Sequence, residues 1–544
     1  MPIVPAAFAA LDPQAARAYL PKADDAAADN ELLFAGSMFE GGRFWLGEVP
    51  TDDTRGAFLA AVERGFIAIN HVREVAERHR AGVLGREPLW RLTPRRALAE
   101  GETPNTDEAA LIAEAEALLT GWWDKRDILP WLQQPATALL LAERAVARLY
   151  IPRGLLMLDS AASGLVPLPQ GGDPVVRLAA ALDLLYVDSP AREACAVVTD
   201  DDTKARLGVY AYRRQQEEWV EATYLDESGA TVLRVMGGGV DAAAAFDLGG
   251  RLLLYEARRQ PLIDAQVRRL QQAANLNLTN LGRNLNLAGS RERTFLGAQP
   301  PGSYRKISDG QPWRPTDDPN DRAFVAEGLP SGAGMDRFLQ GVPVYNDKGE
   351  QVGMTTPSLH YEQPVSVETF NVADRLFRAA ILGATYQLHA LIAGDAAASG
   401  ESRKQARAEF AASLGLTRVA LDGLGRWLIE TPLALAAALA GVPGRYADLR
   451  AQFAVTVDPG PLTSDERAEY VTQWQAGGLS LETLLTRLGE DDVDAEIGRI
   501  EAERQAGDVA LVGVARTAPP MQAGQQAPGD PAAILAAQLT GQGA

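Results

Sequence analysis

Residues 463–505 read TSDERAEYVTQWQAGGLSLETLLTRLGEDDVDAEIGRIEAERQ, and the punctuation of this stretch sets how the chain is to be read. Thr463, with Glu466 three residues on, has the spacing of a capping box, so a helix is expected to start there. Gly477 and Gly478 can adopt the left-handed conformation that stops it. Ser480 can then cap a second helix whose apolar face is Leu481, Leu484, Leu485 and Leu488, with Gly489 as its stop. A third helix is expected from about Glu490, opening on acidic residues that face the positive end of its own dipole and closing near Arg504.

Length and composition bound what surrounds this segment. A chain of 544 residues exceeds one core and suggests three to four structural units. Hydrophobic residues at 47% and charged residues at 23% are the balance of an ordinary globular protein. No apolar run reaches the roughly 20 residues of a membrane span; the longest candidate, Pro432 to Val442, is short and alanine-rich. The opening MPIVPAAFAALDP lacks the basic start and apolar core of a signal peptide and reads as cytoplasmic. The single cysteine, Cys195, sits in a strand-like run and reads as a small buried hydrophobe. A net charge of −19 argues against a sequence-reading DNA binder, whose affinity comes from Lys and Arg releasing counterions, but suits a wall past which DNA slides without sticking.

Residues 1 to about 147 read as mostly helical, with amphipathic runs at Thr54–Arg80 and Thr106–Trp123. From Ala147 short alternating runs (ARLYIPRGLL, EACAVV, RLGVYAY, EEWVEATYL, ATVLRVM, GRLLLYEA) predict an antiparallel sheet packed on those helices, including a hairpin turning at Asp226–Gly229. A long helix is predicted over Pro261–Leu287. Val267, Leu270, Ala274, Leu278, Leu281 and Leu285 form one stripe at spacings of three and four, and Asn277, Asn280 and Asn284 form another. Asparagine is a mediocre helix former, so the second stripe reads either as a face beside identical helices or a watery channel, or as a polar solvent face. Residues 290–364 hold nine prolines and nine glycines, which excludes a continuous helix; GVPVYNDKGEQVGM within them predicts a hairpin at Asn346–Gly349. A second long helix is predicted over Val365–Ala393, with Phe370, Ala373, Phe377, Ile381, Ala384 and Leu388 on one face. It is followed by a small-residue loop and a helix carrying Arg403, Lys404, Arg407 and Phe410. After about Ala515 the composition is that of a mobile tail.

The order of a helix, a G-[LI]-S-x-E-T turn, an L-G stop and an acidic helix ending in I-x-x-E resembles the C-terminal crown of tailed-bacteriophage portal proteins, of the siphophage head-to-tail connector type. The resemblance extends to most of residues 120–505. A long helix, a Pro/Gly-rich insertion, a returning long helix, a small loop and a further helix is the family's central plan, and Trp122 to Pro152 is similar to the wing of siphophage portals. It implies an α+β fold with these parts: 1–257 as the wing, helical and then an antiparallel sheet; 258–289 and 365–393 as two stem helices; 290–364 as the clip. Residues 394–401 would be the tunnel loop, 402–460 post-loop wing helices, 461–510 the crown and 511–544 a flexible tail. By the same resemblance Gly394, Asp395, Ala396, Ala397, Ala398, Ser399 and Gly400 would form a collar on DNA. The chain would build a closed ring, usually a dodecamer, at one capsid vertex of the virion, assembled in the host cytoplasm. Double-stranded DNA would pass through it without sequence specificity during packaging and ejection. The clip would dock the terminase large subunit and later the head-completion or adaptor proteins. Major capsid and scaffolding protein would be its other neighbours. No cofactor and no membrane are implied.

Signals for chemistry are weak. His71 and His79 lie eight apart with Glu74 between them, whereas a zinc-protease pair has histidines four apart in HExxH. A metal-dependent hydrolase using His71, Glu74 and His79 is the enzymatic alternative, and an oligomeric head or scaffold component without a channel is the structural one. Gly237–Gly239 lack the Lys and Ser/Thr of a phosphate-binding loop and read as a turn. Arg258, Arg259, Arg268, Arg269, Arg283, Arg291 and Arg293 cluster along the first long helix and its ends, and are expected to meet either DNA phosphates or acidic residues of a neighbouring subunit. Arg403, Lys404 and Arg407 are expected to hold the loop at 394–401 or to pair with Glu368 and Asp374 of the helix before it.

Overall fold

The computed structural model describes residues 12–97, 103–152, 156–159, 162–165, 172–199, 205–214, 216–289, 293–296, 302–304, 324–326, 343–356, 358–361, 365–392, 400–458, 464–488, 493 and 496–502. These residues mix α-helix with antiparallel strand, an α+β arrangement. They fall into two compact units rather than three or four: Met1–Gly36, His71–Arg268 and Leu382–Ala544 make the first, and Ser37–Asn70 with Arg269–Ile381 the second.

In chain order the helices are α1 (Pro13–Arg17), α2 (Asp25–Ala35), α3 (Arg55–Arg64), α4 (His71–Leu84), α5 (Thr106–Lys125), α6 (Ile128–Leu141), α7 (Pro174–Asp183), α8 (Ala265–Gly289), α9 (Val367–Ala384), α10 (His389–Ile392), α11 (Gly400–Leu439), α12 (Ser464–Gln475) and α13 (Leu481–Leu488). The strands are β1 (Leu89–Pro94), β2 (Arg144–Tyr150), β3 (Leu156–Asp159), β4 (Ala162–Leu165), β5 (Tyr186–Asp188), β6 (Cys195–Thr199), β7 (Arg206–Arg214), β8 (Glu217–Leu225), β9 (Thr231–Gly237), β10 (Val240–Phe246) and β11 (Leu254–Arg258). They continue as β12 (Arg293–Leu296), β13 (Gly302–Tyr304), β14 (Phe324–Ala326), β15 (Pro343–Tyr345), β16 (Gln351–Met354), β17 (Ser358–Tyr361) and β18 (Leu449–Ala454).

Short polar side chains start several of these helices, because they accept from otherwise unpaired first-turn N–H groups. Asp12, Asp24 and Asp173 do so for α1, α2 and α7, and Asn105 with Glu108 completes a reciprocal capping box on α5. The run Thr54–Arg80, read as one amphipathic helix, is two: α3 ends at Arg64 before Gly65, and α4 begins at His71 in the other unit.

Among the described residues the first unit carries two main sheets where the sequence suggested one, beside the two-stranded pairs β1–β18 and β3–β4. Strands β10-β9-β8-β7-β6 form a meander, and β11-β2-β5 form a second, smaller sheet. Val146, Cys195 and Leu254 are buried together between them. The Cys195 thiol is fully buried, and burial pushes it up to about 12. Across the same layer Arg148 binds Asp188 at 3.0 Å and Glu221 at 2.7 Å, so its buried guanidinium is neutralised. The predicted hairpin is β8–β9: Asp226 Oδ1 accepts from the N–H groups of Ser228 and Ala230, and Gly229 supplies a φ of +84°. Gly237, Gly238 and Gly239 form the β9–β10 turn, all at positive φ.

The spine of the first unit is α11. Its first half is amphipathic, whereas Leu421, Leu424, Trp427, Leu428, Ile429, Leu433, Ala436 and Ala437 bury it on nearly every side, which accounts for its alanine content. At Gly425 any side chain would collide with the Phe453 ring of β18, so the close approach of helix and strand requires glycine there. Strand β18 pairs with β1, a ribbon absent from the sequence reading: residues 1–147 are mostly helical as expected but include this strand, and 402–460 is one long helix followed by a strand.

In the second unit α8 and α9 flank the Pro/Gly-rich segment. Its described residues are strand pairs: β12 with β17 beside the helices, then β13 with β14 and β15 with β16. The β15–β16 hairpin turns as expected. Asn346 Oδ1 accepts from Lys348 and Glu350, and Gly349 has φ of +77°, the same five-residue device used at Asp226.

Candidate DNA-channel elements

The first long helix starts four residues later than predicted, where the Asp264 carboxylate accepts from Val267 N–H at 2.8 Å. Of its apolar stripe, Val267 and Ala274 are buried, while Leu285 is half exposed. The most buried positions instead include the polar series Gln271, Asn275 and Thr279, at a spacing of four. This series carries an extended backbone: Gln271 donates to Ile69 O at 2.7 Å, Ile69 N–H to Asn275 Oδ1 at 3.4 Å, and Ile67 N–H to Thr279 Oγ1 at 3.1 Å. Buried backbone groups need partners, and here helix side chains supply them in place of a sheet.

The asparagine stripe is split. Asn277 donates to Phe370 O at 2.9 Å. Asn284 is buried and clasps Val365 with both amide atoms, donating to its carbonyl at 2.8 Å and accepting from its N–H at 2.9 Å. Asn280 alone is exposed and has no hydrogen-bond partner among the described residues. Two of the three amides are therefore occupied in holding the start of the second long helix, so neither a channel nor a solvent face is needed to account for them.

The second long helix does not run unbroken over Val365–Ala393. It ends at Ala384 in a six-residue Schellman turn: Gln387 N–H donates to Leu382 O at 2.7 Å, and Tyr386 N–H to Gly383 O at 3.2 Å. Tyr386 occupies the left-handed position at φ of +58°, where glycine is usual. The fully buried Gln387 side chain fixes the break, donating to Val75 O at 2.7 Å and accepting from Arg78 at 3.0 Å. Phe370, Ala373, Phe377, Ile381 and Ala384 do lie on the more buried side of α9, but Leu388 falls beyond the break.

Gly394, Asp395, Ala396, Ala397, Ala398 and Ser399 lie outside the described residues; Gly400 is the first residue of α11. The basic residues around them are largely engaged within the chain. Arg268 donates to Asn30 Oδ1 at 3.1 Å, and Asn30 in turn donates to Leu141 O and Ile263 O. Arg258 pairs with Glu256, Arg259 donates to Thr417, and Arg283 lies 5.4 Å from the Trp45 ring. Arg269 is exposed. Lys404 pairs with Glu469 of α12. Arg403 and Arg407 are both half-buried on the same helix, and the side chain of Arg293 lies outside the described set, as does Arg291.

The histidines do not converge. His71 lies 3.4 Å from Glu74. His79 is fully buried, with Nε2 2.9 Å from Thr417 Oγ1 and 3.5 Å from the Arg259 guanidinium, a poor neighbour for a metal ion. Burial and Arg259 hold its ring at about 3, well below the usual range. Among the described residues no group of three or more His, Cys, Asp or Glu is arranged to hold a metal, and no helix is long and apolar enough to cross a membrane.

The C-terminal helices follow their caps. Gly478 N–H reaches Gln473 O at 2.8 Å and Gly477, at φ of +76°, reaches Trp474 O at 2.9 Å, which terminates α12. Ser480 Oγ accepts from Thr483 N–H at 3.1 Å at the start of α13, and Leu484 and Leu485 are buried. Residues 496–502 are helical; Thr463, Gly489, Glu490 and the tail at 511–544 lie outside the described residues. No protein-family model matches the sequence, and no curated protein aligns with it significantly.

Proposed function

We propose that this chain is the subunit of a tailed-bacteriophage portal, a non-catalytic ring at one capsid vertex. The observation that carries the reading is the order of elements: α8, an excursion of strand pairs, α9 broken at Tyr386, a small-residue segment, the 40-residue α11, then short capped helices. A second feature supports self-association. Val365, just before α9, and Val372 and Leu376 on it are 55%, 44% and 64% exposed, an apolar stripe whose side chains are left uncovered among the described residues. In a closed heterologous ring such a stripe meets a different surface of the next copy.

On this reading residues 394–400 form a collar that grips DNA sterically, and the excursion at 290–364 is the outer surface for the terminase large subunit and then for head-completion proteins. The double-stranded DNA is handled without sequence readout, in keeping with the −19 charge. Electron microscopy of the purified full-length protein, classified for rotational symmetry, tests the proposal. Closed rings with a hole wide enough for a duplex are expected. Rings without a hole would favour a head component that conducts no DNA, and a monomer at high concentration would sink the proposal.

A further inference from the structure

We propose that the β1–β18 ribbon is a docking groove for the phosphodiester backbone of duplex DNA, separate from the segment at 394–400. The register puts Trp90 opposite Phe453, Leu92 opposite Ala451 and Pro94 opposite Leu449. That face is anchored in the core, where Trp90 and Phe453 both pack against Trp123. Because side chains alternate along a strand, the opposite face is fixed as well. It presents Arg91 opposite Gln452 and Thr93 opposite Arg450, continued by Arg95 and Arg96.

These four arginines are exposed and line one groove, walled by the small side chains of Ala109 and Ala113 on α5. Two are held in place: Arg91 by Gln452 at 2.8 Å, and Arg96 by a two-pronged pair with Glu108 at 2.7 and 2.8 Å. The carboxylate of the groove, Glu116, is already taken by Leu92 N–H at 2.7 Å. The side chains of Arg95 and Arg450 have no hydrogen-bond or ion partner among the described residues. A chain of net charge −19 thus reverses its sign locally, with guanidinium groups only. Guanidinium matches phosphate with paired N–H donors, and among the described residues the groove has no aromatic lining side chain to anchor a protein partner. Between the arginines the lining is mostly apolar and small, with Leu92, Pro94, Ala109, Ile112 and Ala113, so the groove's polar contacts are concentrated in the guanidinium groups that pair with backbone phosphates.

The test measures fluorescence anisotropy of a labelled, covalently closed duplex minicircle with the full-length protein at 50 and 200 mM salt. A closed circle cannot be threaded by a closed ring, so binding reports an outer surface whether or not rings form. Four phosphate contacts predict an affinity loss of about 150-fold between the two salts, and removing two leaves about 12-fold. Arg95→Ala with Arg450→Ala is therefore expected to weaken binding at 50 mM and flatten the salt dependence. Arg213→Ala, at a residue 79% exposed on β7, should change neither. A paired Arg95→Gln and Arg450→Gln variant, with an unchanged melting temperature, guards against loss of folding. Absence of minicircle binding, an unaltered salt slope in the double variants, or binding of polyglutamate without DNA would each overturn the groove while leaving the ring proposal standing.

Discussion

Replacing Asn284 by alanine should loosen the start of α9, whereas the same change at Asn280, one turn away on the same stripe, should not. Asn284 makes two hydrogen bonds to the backbone of Val365. Val365 is 55% exposed, so water reaches the freed groups and each bond is worth about 0.5–1.5 kcal/mol rather than the larger penalty of a dry orphan. The pair then contributes about 1–3 kcal/mol, less up to about 0.7 kcal/mol that alanine regains in helix propensity. A net cost of about 0.3–2.3 kcal/mol raises the local opening equilibrium by about 1.7- to 50-fold. Native-state hydrogen exchange read by mass spectrometry over 365–372 measures this directly. Asn280→Ala loses no bond among the described residues and should leave exchange unchanged or slightly slower. If both variants open the segment equally, or if Asn284→Ala leaves it protected, the clasp is not what holds the two helices together.

Two further expectations concern single residues of the first unit. Tyr386 sits in the left-handed region with its side chain 57% exposed. Tyr386→Gly should therefore stabilise by about 0.5–1 kcal/mol and Tyr386→Val destabilise by at least as much; indistinguishable urea midpoints would refute the strain. The His79 ring is held at about 3 against an ordinary value near 6.5. Below pH 6.5 the unfolded chain takes up a proton that the folded chain refuses, so stability present above that value is lost as pH falls toward 3, by about 2 kcal/mol at pH 5. His79→Gln removes this component, and its deficit relative to the parent protein should shrink by that amount between pH 7 and 5 in thermal melts; a constant deficit would count against it.

What was legible in the sequence was local. The turns at Asp226 and Asn346 and the stops at Gly477 and Gly478 are fixed by residues within five positions of one another, and each forms where its pattern says. The break at Tyr386 was not legible, because the apolar spacing of α9 runs on through it to Leu388; the device that stops the helix is Gln387 bonding Val75 and Arg78 of a helix far back in the chain. The asparagine spacing was visible, but not its object, since Val365 and Phe370 lie some 80 to 90 residues away. The equally spaced Gln271, Asn275 and Thr279 went unremarked although they are the more buried set. Strand β1 was missed because LWRLTP is short, ends in proline and acquires its alternation only when β18 covers one side.

That last pairing also sets a schedule for synthesis. Strand β1 leaves the ribosome roughly 350 residues before β18, an interval of about 20–70 s at ordinary elongation rates. The remainder of the second unit, Arg269–Ile381, is made within that interval, its first segment Ser37–Asn70 having preceded β1, while Trp90 and Trp123 still await the Phe453 ring that covers them. The inserted unit can thus be complete before its host closes, and the host's unfinished core is the surface that a chaperone would have to shield during each round of translation.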